Sequence, residues 1–386
     1  MLSRILDKAV KNHPKSLLLL GPRQVGKSTL CNSLNPDLSL NLTNESLFRQ
    51  HLNDPGLITR VIKSLPEHQN LILIDEIQRI PSMLNTIQGL IDENPRLRFL
   101  LTGSSARKLR RGKANLLPGR VLLEYLPPLT YWELADNFNL NKALTIGTLP
   151  EVYLKDYGPD LLHSYVAGYL REEIQAEALT KDLASYSRFL NIAAELSGQY
   201  LNYSKVASDC EINKESIRRY MEILADTLII EYLPSYKSVS KERRARQKDK
   251  FIFFDLGVRN SLLGYQANQV FSREEYGKLF EQWLILQVIY YNKLYKKQWK
   301  LSSYRDAAGI EVDLIIETQT TFLTIEIKSS EKVKEKMFQP LQKFEHISGK
   351  QTEKVLVYQG EYKQDFNELG KALPYQQFLD EFVTSL

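Results

Sequence analysis

A chain of 386 residues is long enough for two or three domains, each with its own core. Hydrophobic residues make up 43% and charged residues 25%, with 18 Gly and 15 Pro, which excludes a collagenous or largely disordered protein. Cys31 and Cys210 are the only cysteines, which excludes a disulfide framework and a Cys-rich zinc site and favours a reducing, cytoplasmic compartment. No apolar stretch approaches the ~18 residues of a membrane span and no signal-peptide pattern opens the sequence, so no membrane association is expected.

Net charge is +5, too small by itself to indicate a nucleic-acid partner. Two segments concentrate the positive charge: ARKLRRGK (106–113) has five basic residues and no acid, and 237–250 has seven basic residues and two acids. Either segment is a solvated loop or a contact for phosphates.

The N-terminal third alternates short apolar runs with helical patterns. Fully apolar runs separated by helices are typical of a parallel sheet covered on both faces, which predicts an α/β domain. The runs are SLLLL (16–20), NLILID (70–75), LRFLLTG (97–103) and RVLLEYL (120–126).

The first run leads directly into GPRQVGKST, which fits G-x-x-x-x-G-K-[ST]. In such a phosphate loop, backbone N–H groups and a helix N-terminus hold phosphates, Lys27 reaches the β and γ phosphates, and the Ser28 hydroxyl ligates Mg²⁺. The motif predicts ATP and Mg²⁺ as cofactors. The expected nucleotide-binding residues of the loop are Gly21, Pro22, Arg23, Gln24, Val25, Gly26, Lys27, Ser28 and Thr29.

NLILIDE supplies the second half of this predicted site, because its strand ends in two carboxylates. Asp75 is expected to hold Mg²⁺ through water and Glu76 to polarise the attacking water. An acid directly after the magnesium-site Asp separates ATPases with an extra strand between the two motifs from Ras-type GTPases. The next strand ends in Thr102, Ser104 and Ser105, and Ser104 is the preferred sensor of the γ-phosphate, although such residues also cap turns.

ATPases of this type commonly receive an arginine from a neighbouring subunit, which neutralises the charge that develops on the transferred phosphate. Arg120, in the turn LLPGR before a strand, is the preferred catalytic arginine. The other candidates are Arg107, Arg110 and Arg111.

Taken together, GPRQVGKST, LILIDEIQ, FLLTGSS, LLPGR and PLTYWEL resemble the AAA+ superfamily ATPases of bacteria and archaea that carry a C-terminal domain of unknown function. The resemblance continues through GTLPEVYL (147–154), YLREEI (169–174), GKLFEQW, YRDAAGIEVDLII and IEIKSS, so it covers nearly the whole chain. It implies an ATPase core that assembles as a homo-oligomer, a hexameric ring being one form, and it does not settle a substrate.

The segment 201–262 is interpreted as a winged helix. Ser204 is expected to cap its first helix, and the helix KESIRRYMEILAD to bury Ile217, Met221 and Leu224 while exposing basic residues. The strands LIIEYLPSY and KFIFFDLG form the wing, with 237–250 as its tip. DNA contact, protein docking and an inert loop remain open for this tip.

The last domain contains a pattern similar to restriction-endonuclease-like, PD-(D/E)XK nucleases. Asp313 precedes one strand, and Glu326 and Lys328 share a face of the next. Asp313 and Glu326 are expected to hold Mg²⁺, Lys328 to orient the attacking water, and Glu281, on a helix, to add a metal ligand. The alternative is a salt bridge between Lys328 and either acid on a solvent-facing sheet.

The predicted organisation is an AAA+ P-loop ATPase domain (1–135), a helical linker (136–200), a winged-helix domain (201–262) and a nuclease-like α/β domain (263–386). The favoured function is that of an ATP-hydrolysing protein that binds and processes DNA. The alternatives are a nucleotide-dependent switch that binds DNA or a protein without cutting, and a protein-remodelling ATPase.

Overall fold

The structure, a computed structural model, describes residues 2–105, 117–170, 183–237 and 248–386. The chain divides into two compact units. Unit 1 contains Met1–Leu129, Leu149–Glu151 and Glu222–Ile229, and unit 2 contains the rest. This division does not test the four predicted domains, whose boundaries stay a prediction.

Unit 1 is built on one parallel sheet. Its strands are β1 (Ser16–Leu20), β2 (Leu38–Asn41), β3 (Leu71–Asp75), β4 (Arg98–Gly103) and β5 (Val121–Tyr125). They lie in the order β2-β3-β4-β1-β5, and every neighbouring pair is parallel. The predicted α/β class and the extra strand, β4 between β1 and β3, are therefore confirmed.

Strand β2 is absent from the sequence prediction because its four residues, LSLN, alternate between buried and accessible positions and form no apolar run. By contrast, all five residues of β1 are buried. A strand in the middle of a sheet covered on both faces needs apolar side chains on both sides, which is why β1 is visible in the sequence.

Helices of unit 1 pack against this sheet through apolar stripes. They are α1 (Leu6–Asn12), α2 (Lys27–Asn32), α3 (Glu45–Asn53), α4 (Leu57–Lys63) and α5 (Met83–Glu93), with a 3-10 turn at Ile77–Arg79. In α5, Met83, Leu84, Ile87 and Leu90 recur at helical spacing and join the buried core.

From residue 131 onward the described chain is first helical and then mixed. Its helices are α6 (Tyr131–Leu134), α7 (Leu140–Ile146), α8 (Pro150–Leu154), α9 (Gly158–Ser164), α10 (Leu183–Glu195), α11 (Tyr203–Cys210), α12 (Lys214–Asp226), α13 (Leu256–Leu262), α14 (Arg273–Leu294), α15 (Gln339–Ser348) and α16 (Tyr375–Gln377). Short 3-10 segments are Ala135–Asn137, Glu335–Phe338 and Asn367–Leu369, and π segments are Tyr165–Leu170 and Phe378–Val383.

Helices α11 and α12 are followed by an antiparallel strand pair, β6 (Ile230–Leu233) and β7 (Lys250–Phe253). This is the predicted helix, helix, hairpin order. Helix α12 buries Ile217, Met221 and Leu224 as expected. The expected cap is wrong: Asn202 is the N-cap of α11, and its side chain accepts a hydrogen bond from the Lys205 amide.

Unit 2 also contains a six-stranded mixed sheet. Its strands are β8 (Lys300–Arg305), β9 (Glu311–Glu317), β10 (Phe322–Ile327), β11 (Glu353–Tyr358), β12 (Gln364–Asp365) and β13 (Lys371–Pro374). Their order is β12-β13-β11-β10-β9-β8. Strands β8, β9 and β10 form an antiparallel meander, and β11 adds to β10 in parallel. Along the chain, a long helix, three strands, a helix and a strand follow one another.

None of the helices that the structure describes combines the length and apolar character needed to cross a membrane.

Candidate functional site

The predicted phosphate loop joins β1 to α2. Gln24 (φ 62°) and Gly26 (φ 93°) adopt left-handed backbone conformations, which turn the chain into the helix. A Cβ on Gly21 would lie 2.3 Å from the backbone oxygen of Leu126, so this glycine is required by packing against the chain after β5. The buried Lys27 ammonium donates to the carbonyls of Gly21 (2.9 Å) and Pro22 (2.7 Å).

The two predicted magnesium residues are in direct contact. The Ser28 hydroxyl lies 2.9 Å from Oδ1 and 2.8 Å from Oδ2 of Asp75. The Thr102 hydroxyl donates a hydrogen bond to Asp75 Oδ1 and accepts one from the Glu76 amide at 3.0 Å. Since β1, β4 and β3 lie side by side and are parallel, their carboxyl ends meet at one edge of the sheet, and this edge collects the three side chains.

Glu76 follows β3 in a left-handed conformation (φ 59°) that non-glycine residues rarely adopt. Its buried carboxylate accepts a hydrogen bond from Ser104 Oγ at 3.1 Å. Gln78 Nε2 donates both to Glu76 Oε2 and to Ser104 Oγ, the latter at 2.9 Å. Ser104 is thus placed beside the carboxylate expected to act on water.

Gln78 is a residue that the sequence prediction missed, although it lies in the motif LILIDEIQ. The 3-10 turn Ile77–Arg79 directs its buried side chain back toward Glu76. Among the described residues, its Oε1 atom has no hydrogen-bond partner. The signal that could have indicated it is an amide side chain two residues after the predicted catalytic acid, directly after the apolar Ile77.

Arg120 lies at the opposite edge of the sheet. Val121 pairs with Ser16 at the start of β1, whereas the phosphate loop follows the end of that strand, five residues or about 16 Å away. The Arg120 guanidinium donates two hydrogen bonds to the Asp92 carboxylate, from Nε to Oδ1 at 2.6 Å and from Nη2 to Oδ2 at 2.9 Å. Arg120 therefore cannot reach the phosphate loop of its own chain. The cluster 106–113, with Arg107, Arg110 and Arg111, lies outside the described residues.

In unit 2, β9 and β10 bring together the predicted acids of the last domain. Leu314 pairs with Ile325, and Asp313 Oδ2 accepts the Ile327 amide at 2.8 Å. Asp313 and Glu326 are each only 6% exposed, so the solvent-facing sheet of the alternative interpretation is wrong at these positions. Lys328 does form an ion pair with Glu326, as the alternative interpretation anticipated.

The charges of this cluster perturb one another. Burial and the nearby Asp313 carboxylate raise the pKa of Glu326 to about 8. Burial and Asp313 likewise raise the pKa of Glu281, on α14, to about 7. Burial opposes the charge of Lys328, but the surrounding carboxylates outweigh it and raise the pKa of this lysine. Strongly shifted groups that converge at one place are typical of a functional site.

Lys250 belongs both to the basic segment 237–250 and to the predicted strand KFIFFDLG. The strand is confirmed, since Lys250 is the first residue of β7, whereas the exposed position expected for the basic segment is wrong for this residue, which is 2% exposed. Its ammonium lies 2.9 Å from Glu281 Oε1 and 2.8 Å from Glu311 Oε1. The segment 238–247, which contains four of the other basic residues, lies outside the described residues.

Helix α12 exposes three basic side chains, as predicted. They are Lys214, Arg218 and Arg219. In the parts of the chain that the structure describes, no group of three or more His, Cys, Asp or Glu residues is arranged to hold a metal ion.

The strand order of unit 1, with β4 between β1 and β3, and the phosphate loop at the carboxyl end of β1 define a P-loop domain of the type found in AAA+ ATPases. Residues 13–135 match the family model of an AAA domain, so this part of the chain is a P-loop domain of the AAA+ type. Two domains of unknown function follow: DUF8612 matches residues 137–269 and DUF4143 matches 276–378.

An uncharacterized protein of Mycobacterium tuberculosis is 26% identical over 377 residues, covering 94% of this chain and 80% of that protein. One of Methanocaldococcus jannaschii is 25% identical over 371 residues, covering 82% of this chain and 76% of that protein.

Solved structures with some similarity include the replication initiator DnaA bound to AMPPCP and single-stranded DNA, with a TM-score of 0.29 and 12% identity. That match covers 57% of this chain and 86% of DnaA. A signal transduction ATPase from Pyrococcus horikoshii has a TM-score of 0.26 and 15% identity, covering 75% of this chain and 45% of that one. Similarities this distant do not indicate a function.

Proposed function

We propose that this chain hydrolyses ATP with Mg²⁺ and uses its other domains to bind and cut DNA. The observation that carries the first part is the convergence of Lys27, Ser28, Asp75 and Glu76 at one edge of the parallel sheet. Lys27 is held by loop carbonyls, which suits an ammonium that contacts phosphates. A hydroxyl and a carboxylate in contact are oxygen ligands of the kind Mg²⁺ prefers.

In this proposal the loop backbone and Lys27 bind the phosphates, and Ser28 and Asp75 hold Mg²⁺. The metal supplies charge neutralisation at the transferred phosphate. Glu76 orients and polarises the attacking water, and Ser104 with Gln78 holds the Glu76 carboxylate in place. Arg120 is proposed to act on the site of a neighbouring subunit, because it lies far from the loop of its own chain.

The DNA-directed part is supported by the buried cluster on β9 and β10. The order of helix α14, strands β8 to β10, helix α15 and strand β11 is similar to that of restriction-endonuclease-like domains. In such a domain Asp313 and Glu326 would hold Mg²⁺, which would supply activation of the attacking water, and Lys328 would orient that water. Glu326 Oε2 is buried without a hydrogen-bond partner among the described residues, which suits a metal ligand.

DNA binding is proposed for the winged-helix-like segment. Its support is the helix, helix, hairpin order and the basic face of α12. Neutralising three arginines of the 238–247 segment should lower the salt slope of duplex binding by roughly 0.9 for each lost phosphate contact. An unchanged slope would contradict the role of this segment. The arginines are Arg243, Arg244 and Arg246.

The decisive experiment measures ATP turnover and DNA cleavage together, with single-stranded, duplex and branched DNA in Mg²⁺ and in Mn²⁺. We expect DNA to stimulate turnover and the protein to cut at least one substrate. Asp313→Ala and Lys328→Ala should abolish cutting while leaving DNA affinity largely unchanged, because they act on the metal and the water.

A non-cutting switch is the second candidate, and the ion pairs of Lys328 with Glu326 and Lys250 with Glu281 favour it, since both neutralise acids without a metal. DNA-stimulated turnover without cleavage in either metal would support the switch. An ATP turnover rate that is the same with and without DNA would instead favour a protein-remodelling ATPase.

A further inference from the structure

The acid cluster of unit 2 contains a lysine for which the proposed nuclease chemistry has no role. Lys250 lies between Glu281 of α14 and Glu311 of β9, with its ammonium 2.9 Å and 2.8 Å from their carboxylates. It also lies 5.0 Å from the centre of the Tyr200 ring. The lysine comes from β7, a strand outside the six-stranded sheet that carries the acids.

The hairpin that carries Lys250 is attached to the terminal sheet and to α14. After β6, the Ser303 amide of β8 donates to the Pro234 carbonyl at 2.9 Å, and the Tyr236 amide donates to the Ser303 carbonyl at 2.7 Å. Glu231 of β6 accepts two hydrogen bonds from Lys293, at 2.5 and 2.7 Å. The position of Lys250 beside the acids is therefore a result of how the hairpin packs, and not of a flexible side chain reaching in.

The two lysines of the cluster differ in exposure. Lys250 is 2% exposed beneath Glu281 and Glu311, whose side chains are 23% and 33% exposed, whereas the side chain of Lys328 is 37% exposed. Asp313 and Glu326 are each 6% exposed. Glu326 Oε2 has no hydrogen-bond partner within the described residues, although a buried carboxylate oxygen normally has one.

Formal charges point in the same direction. The four carboxylates of the cluster are offset by two ammonium groups and by the Arg305 guanidinium, whose Nε lies 3.8 Å from Glu311 Oε2. One formal negative charge remains, which favours a cation in the cluster. Without Lys250 a second negative charge would remain, and partly buried carboxylates without a cation between them repel one another.

We propose that Lys250 is a positioning residue that neutralises Glu281 and Glu311, so that Asp313 and Glu326 alone supply the carboxylate ligands of a single divalent cation. Glu281 is then a partner of Lys250 and not a metal ligand. This inference rests on the proposed metal-dependent function of the same cluster. It also agrees with the lack, in the described ranges, of any group of three acids arranged around a metal.

Calorimetric titration with Mn²⁺ of the nucleotide-free full chain tests this inference, in an Asp75→Asn background that weakens the phosphate-loop site. Asp313→Asn should abolish the remaining Mn²⁺ site. Glu281→Gln should weaken this site by no more than about 10-fold, because it removes a nearby negative charge but no metal ligand. Lys250→Met, which keeps the length of the side chain and removes its charge, should tighten Mn²⁺ binding at least ~10-fold, because a cation no longer repels the metal. The double variant Lys250→Met/Glu281→Gln restores the net charge and should return the Kd toward that of the background protein.

Two outcomes overturn the inference. One is a loss of Mn²⁺ binding in Glu281→Gln as complete as in Asp313→Asn, which would make Glu281 a ligand. The other is weaker binding in the folded double variant than in its background, which would mean that Lys250 and Glu281 build the site directly. The double variant keeps the test valid if Lys250→Met alone does not fold. Absence of any Asp313-dependent Mn²⁺ site in all proteins would refute both this inference and the proposed nuclease chemistry.

Discussion

Replacing Glu76 by glutamine should separate nucleotide binding from nucleotide hydrolysis. The carboxylate lies beside the phosphate loop and is held by Ser104 Oγ at 3.1 Å and by Gln78 Nε2. Glutamine has the same shape, and its amide oxygen can accept both hydrogen bonds. What it lacks is the negative charge that polarises the attacking water.

The expected effects differ greatly in size. Exchanging a charged acceptor for a neutral one with both hydrogen bonds kept should cost about 1 kcal/mol of folding free energy. That is small beside the ~5–15 kcal/mol that stabilises a typical domain. Loss of general-base assistance should lower turnover by ~10²–10⁴-fold, equivalent to ~3–5 kcal/mol at the transition state. ATP affinity should hardly change, because Lys27, Ser28 and the loop remain.

The assay combines phosphate release with direct measurement of nucleotide affinity. Glu93→Gln is the matched control: it removes the same charge from an exposed side chain at the end of α5, where the partner is Lys63, and should leave both quantities unaltered. Lys27→Ala should abolish turnover by removing a phosphate contact. Turnover of Glu76→Gln equal to wild type, in a folded protein, would refute the assignment of Glu76 to the attacking water.

Three further outcomes follow from the described contacts. Gln78→Leu should lower turnover by about 10- to 100-fold with little change in ATP affinity, because it releases the Glu76 carboxylate from its position; equal losses of affinity and turnover would indicate a structural role instead. Arg120→Ala should be inactive alone and should regain activity when its subunits are mixed with those of the Glu76→Gln protein. The control variant Asp92→Ala breaks the same exposed ion pair and should stay active. Equal loss of activity in both variants would mean that Arg120 acts only through this surface ion pair. Iodoacetamide at a pH of about 8, near the pKa of an ordinary thiol, should label the two cysteines only after unfolding, since burial raises their pKa to about 12 and about 11; rapid labelling of the native protein would show that these thiols are accessible. The cysteines are Cys31 and Cys210.

The sequence by itself determined the parts of this protein whose signals are local. A buried central strand must be apolar on both faces, so β1, β3 and β4 appear as apolar runs, and the phosphate-loop motif follows β1 without a gap. Helix α12 shows its buried and exposed faces through its period. The sequence does not indicate strand β2, because its four residues contain no apolar run.

Only the tertiary structure decided which distant side chains meet. Ser28 and Asp75 are 47 residues apart in the chain and meet because β1 and β3 belong to one sheet, and Gln78 reaches Glu76 only because a 3-10 turn folds it back. Lys250 is the clearest case. The residues before it are basic and polar and indicate an exposed loop, yet the hairpin packs it among acids contributed by a helix and another strand. Composition reports the average surroundings of a segment, whereas burial of a single charge depends on partners that only folding brings within reach.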